Sequence, residues 1–141
     1  MSAVVVDASI AVKWFFPEPH AHEARQVLEG RRTLLAPDLI WAEVANVLWK
    51  RLHRAEIASE VAEHILHDFK RFPLQTYAAR VLLEPAWTLA ARCRISVYDG
   101  LYLALALSRK CELVTADRAL VDAVRRDKPL APSVVWVEDI H

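Results

Sequence analysis

The stretch VVVDASIAVKWFF, residues 4–16, decides the fold. It opens with three valines, and a short β-branched run of this kind is typical of a buried strand. After Asp7 the apolar residues recur with helical spacing until Pro17, which ends the helix because the residue before a proline is pushed out of the helical region. We therefore predict a strand over residues 4–6 and a helix over residues 9–16.

The same alternation continues outward along the chain. Pro85 is expected either to start or to bend the helix that contains it. Short apolar strands separated by helices indicate a three-layer α/β fold, with a parallel sheet of four to five strands flanked by helices. Further strands are predicted at 33–36, 74–77, 113–115 and 134–137, and further helices at 20–29, 38–54, 56–71, 80–93, 96–109 and 117–126.

Length and charge limit the classes of protein to which the chain can belong. The 141 residues fit a single domain, 1–141, which can bury one core without disulfides or a structural metal. Because 18 basic residues balance 18 acidic ones, no global field draws the chain to nucleic acid or to a membrane, and any such attraction must come from local patches. The hydrophobic fraction of 55% favours an apolar surface that is buried against another chain.

The cysteines and the hydropathy indicate the compartment. Cys93 and Cys111 lack the paired spacings of a zinc site, and we interpret them as thiols of a reducing cytoplasm. No stretch reaches the ~20 apolar residues that span a bilayer, and the first residues lack the basic region of a signal peptide. The protein is therefore expected to be cytoplasmic.

Four of the acidic residues stand out because their neighbours along the chain are apolar. Asp7 and Asp117 lie where a predicted strand meets a helix, and Asp99 lies in the first turn of an almost wholly aliphatic helix. Glu43 emerges through an apolar stripe of its helix. Strand ends and the starts of the following helices converge at one edge of an open α/β sheet, so Asp7, Asp99 and Asp117 are expected to lie close together.

Burial of these carboxylates needs compensation, and the sequence around them offers almost no Lys or Arg. A cluster of hard oxygen ligands without soft ones selects Mg²⁺ or Mn²⁺ over zinc. A metal site is one interpretation. Each acid also has an ordinary structural interpretation. Asp7 and Asp117 suit helix N-caps, and Asp99 has the capping-box spacing with Ser96. Glu43 suits a solvent-facing helix position.

The polar residues near the acids can likewise be interpreted as parts of a functional site or as ordinary structural residues. The hydroxyls of Ser9 and Thr115 are placed to orient a carboxylate, a water or a phosphate at the sheet edge, or to act only as a cap and an ordinary strand residue. Asn46, three residues after Glu43, is a candidate donor to that carboxylate, or a helix residue satisfied elsewhere.

Four segments resemble a known family, the PIN-domain endoribonucleases, and specifically the VapC-type toxins of bacterial and archaeal toxin–antitoxin pairs. The resemblance covers nearly the whole domain, from residue 4 to residue 120. The segments, each with one of the four acids, are VVVDASIAVKWFFPEP, APDLIWAEVANVLWK, SVYDGLYLALAL and LVTADRAL.

The resemblance implies a metal-dependent endoribonuclease that hydrolyses phosphodiester bonds of structured RNA such as tRNA or rRNA. It implies a homodimer and an antitoxin whose tail covers the site. Asp7 and Asp99 would bind the metal directly, Glu43 would bind it or orient the water, and Asp117 would serve a second ion or a water-mediated contact. The supporting polar positions are Ser9, Asn46 and Thr115, and the candidates for RNA phosphate contacts are Lys13 and Arg118.

Three other classes were weighed. A phosphatase of the haloacid dehalogenase type needs a second aspartate where this chain has Ser9. A phospho-receiver domain needs paired acids before its first helix and a late lysine after a strand, and the sequence has neither. A PIN fold that only binds RNA or a partner remains an alternative, and complete acids at all four positions argue against it.

Overall fold

The computed structural model describes residues 2–140, in which five strands alternate with seven α-helices. The strands are β1 Ala3–Val6, β2 Thr33–Pro37, β3 Leu74–Tyr77, β4 Glu112–Thr115 and β5 Val134–Trp136. The helices are α1 Ala8–Lys13, α2 Ala21–Glu29, α3 Leu39–His53, α4 Ser59–Phe69, α5 Ala79–Cys93, α6 Val97–Ser108 and α7 Arg118–Arg125. Two short 3-10 helices, Ala131–Ser133 and Val137–Asp139, flank β5.

All strands pair in parallel, in the order β3-β2-β1-β4-β5. Strand β1 is central, with Val5 beside Leu35 of β2 and Leu113 of β4. The chain runs outward from β1 on one side and then returns to build the other side, so the strand order reverses between β1 and β4. Such a reversal opens a crevice at the carboxyl ends of the two strands, where α/β sheets bind their ligands. The predicted three-layer α/β fold is confirmed.

The core lies on both faces of the sheet. Val5, Val6, Leu113 and Val114 are fully buried, as the short aliphatic strands require in a sheet covered by helices. Helix α6 is buried over every residue from 100 to 106, because it lies against the sheet on one side and against α5 on the other. Its early residues are therefore fixed within the domain.

Helix ends are where the predictions differ from the structure. Helix α1 ends at Lys13, three residues before the predicted end, because the chain turns at Trp14 and its indole Nε1 donates to the Ala24 carbonyl at 2.8 Å. Helix α4 begins at Ser59 instead of residue 56, because its N-cap Ala58 is still extended, with φ −77° and ψ 156°.

Pro85 lies inside α5 and does not start it. A proline there removes one helical N–H donor and leaves a carbonyl four residues earlier without it. Both Pro85 and Val81 are exposed, so water can reach that carbonyl. The helix therefore continues through the proline.

The cysteines and the candidate membrane spans can now be compared with what the sequence predicted. Cys93 is buried and Cys111 half-buried, and both are free thiols. Within residues 2–140, helices fall short of the length and apolar content needed to cross a bilayer.

Candidate active site at the carboxyl edge of the sheet

Asp7 follows β1 directly and is almost fully buried, with 5% of its surface exposed. Its Oδ1 caps α1 by accepting the backbone N–H groups of Ser9 at 3.0 Å and Ile10 at 3.3 Å, and it also accepts the Ser9 hydroxyl. Its Oδ2 accepts the Thr115 hydroxyl at 2.5 Å. Asp7 is thus the helix cap that the sequence allowed, and its carboxylate is held in one orientation by donors from β1–α1 and β4.

The two hydroxyls also join the loops that follow β1 and β4. Ser9 Oγ lies 3.3 Å from Thr115 Oγ1 and accepts the Ala116 N–H at 3.0 Å. Thr115 Oγ1 accepts the Asp117 N–H at 3.0 Å. Because β1 and β4 are neighbours, this network fixes Asp7 and Asp117 relative to each other at the crevice.

Asp99 and Asp117 lie at the starts of α6 and α7. Ser96 Oγ accepts the Asp99 N–H at 3.0 Å, so one of the two bonds of a capping box is present, and the Asp99 carboxylate is half-buried. Asp117 is exposed and caps α7 through its Oδ1, which accepts the Leu120 N–H at 3.3 Å. Asp117 is the most exposed of the four acids, since Glu43 is half-buried.

Glu43 lies on α3, and its partner is a residue that the sequence analysis did not single out. The Tyr102 hydroxyl donates to Glu43 Oε1 at 2.5 Å, and Tyr102 is 1% exposed. One signal was available: in α6, Gly100 and Tyr102 alone interrupt the aliphatic residues that follow Asp99. The two residues in this contact are 59 positions apart in the sequence and lie on different helices, so helical spacing could not predict it.

Burial and the charges of neighbouring acids shift the pKa values of three of the four acids. Burial raises the pKa of Asp7 to about 6, the Ser9 and Thr115 hydroxyls oppose that rise, and the charge of Asp99 adds to it. Burial also raises the pKa of Asp99, and the charges of Asp117 and Glu43 raise it further. Burial raises the pKa of Glu43, which the Tyr102 hydrogen bond partly offsets.

The four acids carry the oxygen atoms that a hard divalent cation prefers, but their side chains are not positioned around a single ion. None of the ion pairs formed within residues 2–140 involves any of the four, so their mutual repulsion has no basic side chain to offset it. All their donor atoms are carboxylate oxygens, the ligands that Mg²⁺ and Mn²⁺ prefer. In the described part of the chain, no three His, Cys, Asp or Glu side chains lie close enough to hold an ion as they stand.

The remaining predicted residues lie around this cluster. Asn46 is exposed on α3, and no hydrogen bond joins it to Glu43 in the described range. Lys13 is 13% exposed and paired with Glu18 at 3.0 Å, so its cation already has a partner within the chain. Their supporting and RNA-binding roles stay predictions.

Arg118, next to Asp117, is exposed at the sheet edge. Its Nε lies 3.4 Å from Asp122, and its guanidinium carbon lies 5.3 Å from the centre of the Trp136 ring. Both contacts are at the surface, where such pairs are weak, so they leave the guanidinium available to a phosphate. Its RNA role also stays a prediction.

Comparison with known proteins identifies the family. The sequence model of the PIN domain matches residues 4–126. The chain belongs to the PIN-domain family. Ribonuclease VapC3 of Pyrobaculum aerophilum is 33% identical to this PIN domain over 123 residues, which are 84% of this chain and 92% of the relative. Ribonuclease VapC9 of Mycobacterium tuberculosis is 32% identical over 127 residues, 90% of this chain and 95% of the relative.

Solved structures agree with this PIN domain in fold. A crystal structure from Pyrobaculum aerophilum superposes with a TM-score of 0.71 at 23% identity and covers 97% of this chain and 85% of its own. A chain from a toxin–antitoxin complex of Klebsiella pneumoniae superposes with a TM-score of 0.64 at 17% identity, covering 98% of this chain and 100% of its own. The predicted PIN-like architecture is confirmed.

Proposed function

We propose that this PIN domain is a metal-dependent endoribonuclease, the toxin of a type II toxin–antitoxin pair, which hydrolyses phosphodiester bonds of structured RNA such as tRNA or rRNA in the cytoplasm. The observation that carries the proposal is the group of four carboxylates at the β1–β4 crevice, none of which has a basic partner within residues 2–140, with Asp7 almost fully buried and Asp99 and Glu43 half-buried. The names of the relatives, both ribonucleases, support the chemistry.

Each acid has a role that its position supports. Asp7 is held by the Ser9 and Thr115 hydroxyls and would present a fixed oxygen to Mg²⁺ or Mn²⁺. Asp99 would be the second direct ligand, Glu43 would bind the ion or orient the attacking water, and the exposed Asp117 would serve a second ion or a water-mediated contact. When bound, the cation supplies positive charge that polarises the scissile phosphate and lowers the pKa of the attacking water.

An antitoxin is the proposed partner. Trp41, Leu66, Phe69 and Lys70 line a largely apolar cavity of about 400 Å³ between α3 and α4, and Trp49 is exposed beside it. Apolar surface of this kind marks protein-binding sites. Lys70 adds a positive charge to the lining of the cavity, which favours an acidic amphipathic segment. The toxin–antitoxin complex from Klebsiella pneumoniae, which shares the fold, supports a partner of this class.

A homodimer is the proposed oligomer, and the exposed face of α5 is its proposed interface. Val81, Leu83 and Trp87 are exposed there. Arg80 and Glu84 lie among them and form no ion pair within residues 2–140, so a second copy related by a two-fold axis can pair with both. The net charge of zero removes long-range repulsion between copies.

Cleavage of purified cellular RNA tests the nuclease. Wild-type protein with Mg²⁺ or Mn²⁺ should cut discrete RNAs, and EDTA should abolish the cutting. The double variant Asp7→Asn, Asp99→Asn should lose activity by about 100-fold or more, since both carboxylates act on the same ion.

Asp68→Asn is the matched control, because Asp68 lies on α4 in a surface ion pair with Arg71. It should cut like wild type. Cleavage that persists in EDTA or in the double variant would contradict the proposal. Metal binding without cleavage of any RNA would favour a PIN fold that only binds RNA or a partner.

A further inference from the structure

The Tyr102 hydroxyl is the only hydrogen-bond donor that reaches the Glu43 carboxylate from residues 2–140. We infer that Tyr102 is a positioning residue, which holds Glu43 Oε1 and thereby turns Glu43 Oε2 toward the cation that Asp7 and Asp99 bind. The inference rests on the proposed function, because it assigns a role within the same site.

Burial and helix geometry support this role. Tyr102 is 1% exposed, so its single phenolic proton has no competing water acceptor. Residues three apart on a helix share a face, so Asp99 and Tyr102 point to the same side of α6. The tyrosine therefore links the helix that carries Asp99 to the helix that carries Glu43.

Charge gives the bond its orienting effect. Glu43 is half-buried and has no basic partner within residues 2–140, so rotation away from Tyr102 would exchange its one protein donor in that range for water. A hydrogen bond to a charged group is stronger than one between neutral groups, so it favours one rotamer of a flexible glutamate. The rotamer must match the ion before the ion arrives, since a loose ligand costs affinity.

A purely structural role is the competing explanation. The same hydrogen bond joins α3 to α6 and would stabilise the domain whether or not Glu43 binds a metal. The two explanations differ in whether the effect of changing Tyr102 depends on the presence of the Glu43 carboxylate. A positioning residue affects metal affinity through Glu43 alone, whereas a structural one affects the site with or without that carboxylate.

A double-mutant cycle on Mn²⁺ affinity distinguishes them. Isothermal titration of the full chain with Mn²⁺ compares wild type, Tyr102→Phe, Glu43→Gln and the double variant. Tyr102→Phe should weaken Mn²⁺ binding by about 10-fold, within the range for residues that orient a ligand. The double variant should bind Mn²⁺ as Glu43→Gln does. The control Tyr98→Phe removes a hydroxyl that is exposed on the same helix and should leave Mn²⁺ affinity unchanged.

Each outcome has a distinct meaning. Equal Mn²⁺ affinity in wild type and Tyr102→Phe overturns the inference alone. A 10-fold loss that recurs in the Glu43→Gln background also overturns it, because Tyr102 then acts through the fold. Wild-type protein that binds no Mn²⁺ overturns the proposed function and this inference with it.

A second measurement needs no variant of Tyr102. The chain has three tyrosines, so 3-fluorotyrosine labelling gives three ¹⁹F signals, and the variant Tyr98→Phe together with surface exposure assigns them. Saturating Mg²⁺ should shift the buried Tyr102 signal, because its hydrogen-bond acceptor becomes a metal ligand. A Tyr102 signal that Mg²⁺ leaves in place overturns the inference.

Discussion

At the scale of residues, one carboxylate has two structural tasks. Asp7 caps α1 with Oδ1 and accepts the Thr115 hydroxyl with Oδ2, so it is the N-cap that the sequence allowed, and its proposed metal-binding role would use the same fixed carboxylate. The sequence located the acid because apolar neighbours surround it. The hydrogen bonds from Thr115 and to Glu43 span more than 50 residues, and local sequence patterns carry no information about them.

Asp7 should make the metal-free protein less stable as pH rises. Its pKa is about 6 when folded and 3.8 without perturbation, so between those values the folded chain binds a proton that the unfolded chain releases. The free energy of unfolding therefore falls through this window. The shift of about two units corresponds to about 3 kcal/mol. Asp7→Asn, which still suits an N-cap, should remove that loss.

Urea unfolding in EDTA at pH 4, 5, 6 and 7 measures the effect. The stability of Asp7→Asn relative to wild type should rise steadily from pH 4 to pH 7. Asp68→Asn, at the surface of α4, should show no such trend. A difference between Asp7→Asn and wild type that stays constant with pH would contradict the burial of an uncompensated charge.

At the scale of elements, the sequence predicts strands correctly where a short apolar run identifies them. It misplaces helix ends where the chain turns. Strand β3 has the predicted ends, and the other strands agree within one residue, because their apolar runs are short and bounded. Helix α4 begins later than its spacing indicates, because the chain turns after α3 and is still extended at Ala58. Turn conformation of that kind depends on contacts that helical spacing does not encode.

The contact between α5 and α6 should be intolerant of a single methyl group. A Cβ on Gly100 would lie 2.5 Å from the Ala86 carbonyl oxygen, closer than real Cβ atoms approach backbone, so Gly100→Ala must force the helices apart. Such overpacking costs about 1–3 kcal/mol. Because Gly100 follows Asp99, nuclease activity should fall as well.

Chemical denaturation tests this, with Gly30→Ala as the control. A Cβ on Gly30 would lie 3.1 Å from the end of the flexible Arg32 side chain, which can move. Gly30→Ala should change the free energy of unfolding little. Equal stability of Gly100→Ala and wild type would show that the helices are less tightly apposed than the structure has them.

At the scale of the whole molecule, strand–helix alternation was sufficient to predict the layers, and the resemblance of four segments was sufficient to predict the family. The strand order was not predictable in the same way, since spacing along the chain does not say that β1 lies between β2 and β4. The convergence of Asp7, Asp99 and Asp117 at one sheet edge was predicted, but the hydrogen bond that joins Tyr102 of α6 to Glu43 of α3 was not. That feature depends on side-chain rotamers, which only tertiary contacts fix.

The dimer should depend on the exposed face of α5. Trp87 is 70% exposed, and a tryptophan at the centre of an interface typically contributes 2 kcal/mol or more. Trp87→Glu should therefore weaken self-association by about 30-fold or more. Trp49→Glu, at the α3 surface proposed for the antitoxin, should leave it unchanged.

Sedimentation velocity over a range of concentrations gives both dissociation constants. A wild-type chain that is monomeric at all concentrations would contradict the homodimer. A Trp87→Glu variant that dimerises like wild type would place the interface elsewhere on the surface.

The four acids are dispersed from Asp7 to Asp117, and Asp7 is held in part by Thr115 of β4. A ribosome must therefore release most of the chain from its exit tunnel before β4 can join β1 and the last carboxylate can reach the crevice. Until then the growing polypeptide has no assembled crevice, so the proposed nuclease cannot act on RNA before β4 has joined β1. The proposed antitoxin would meet its folded target only after that moment in synthesis.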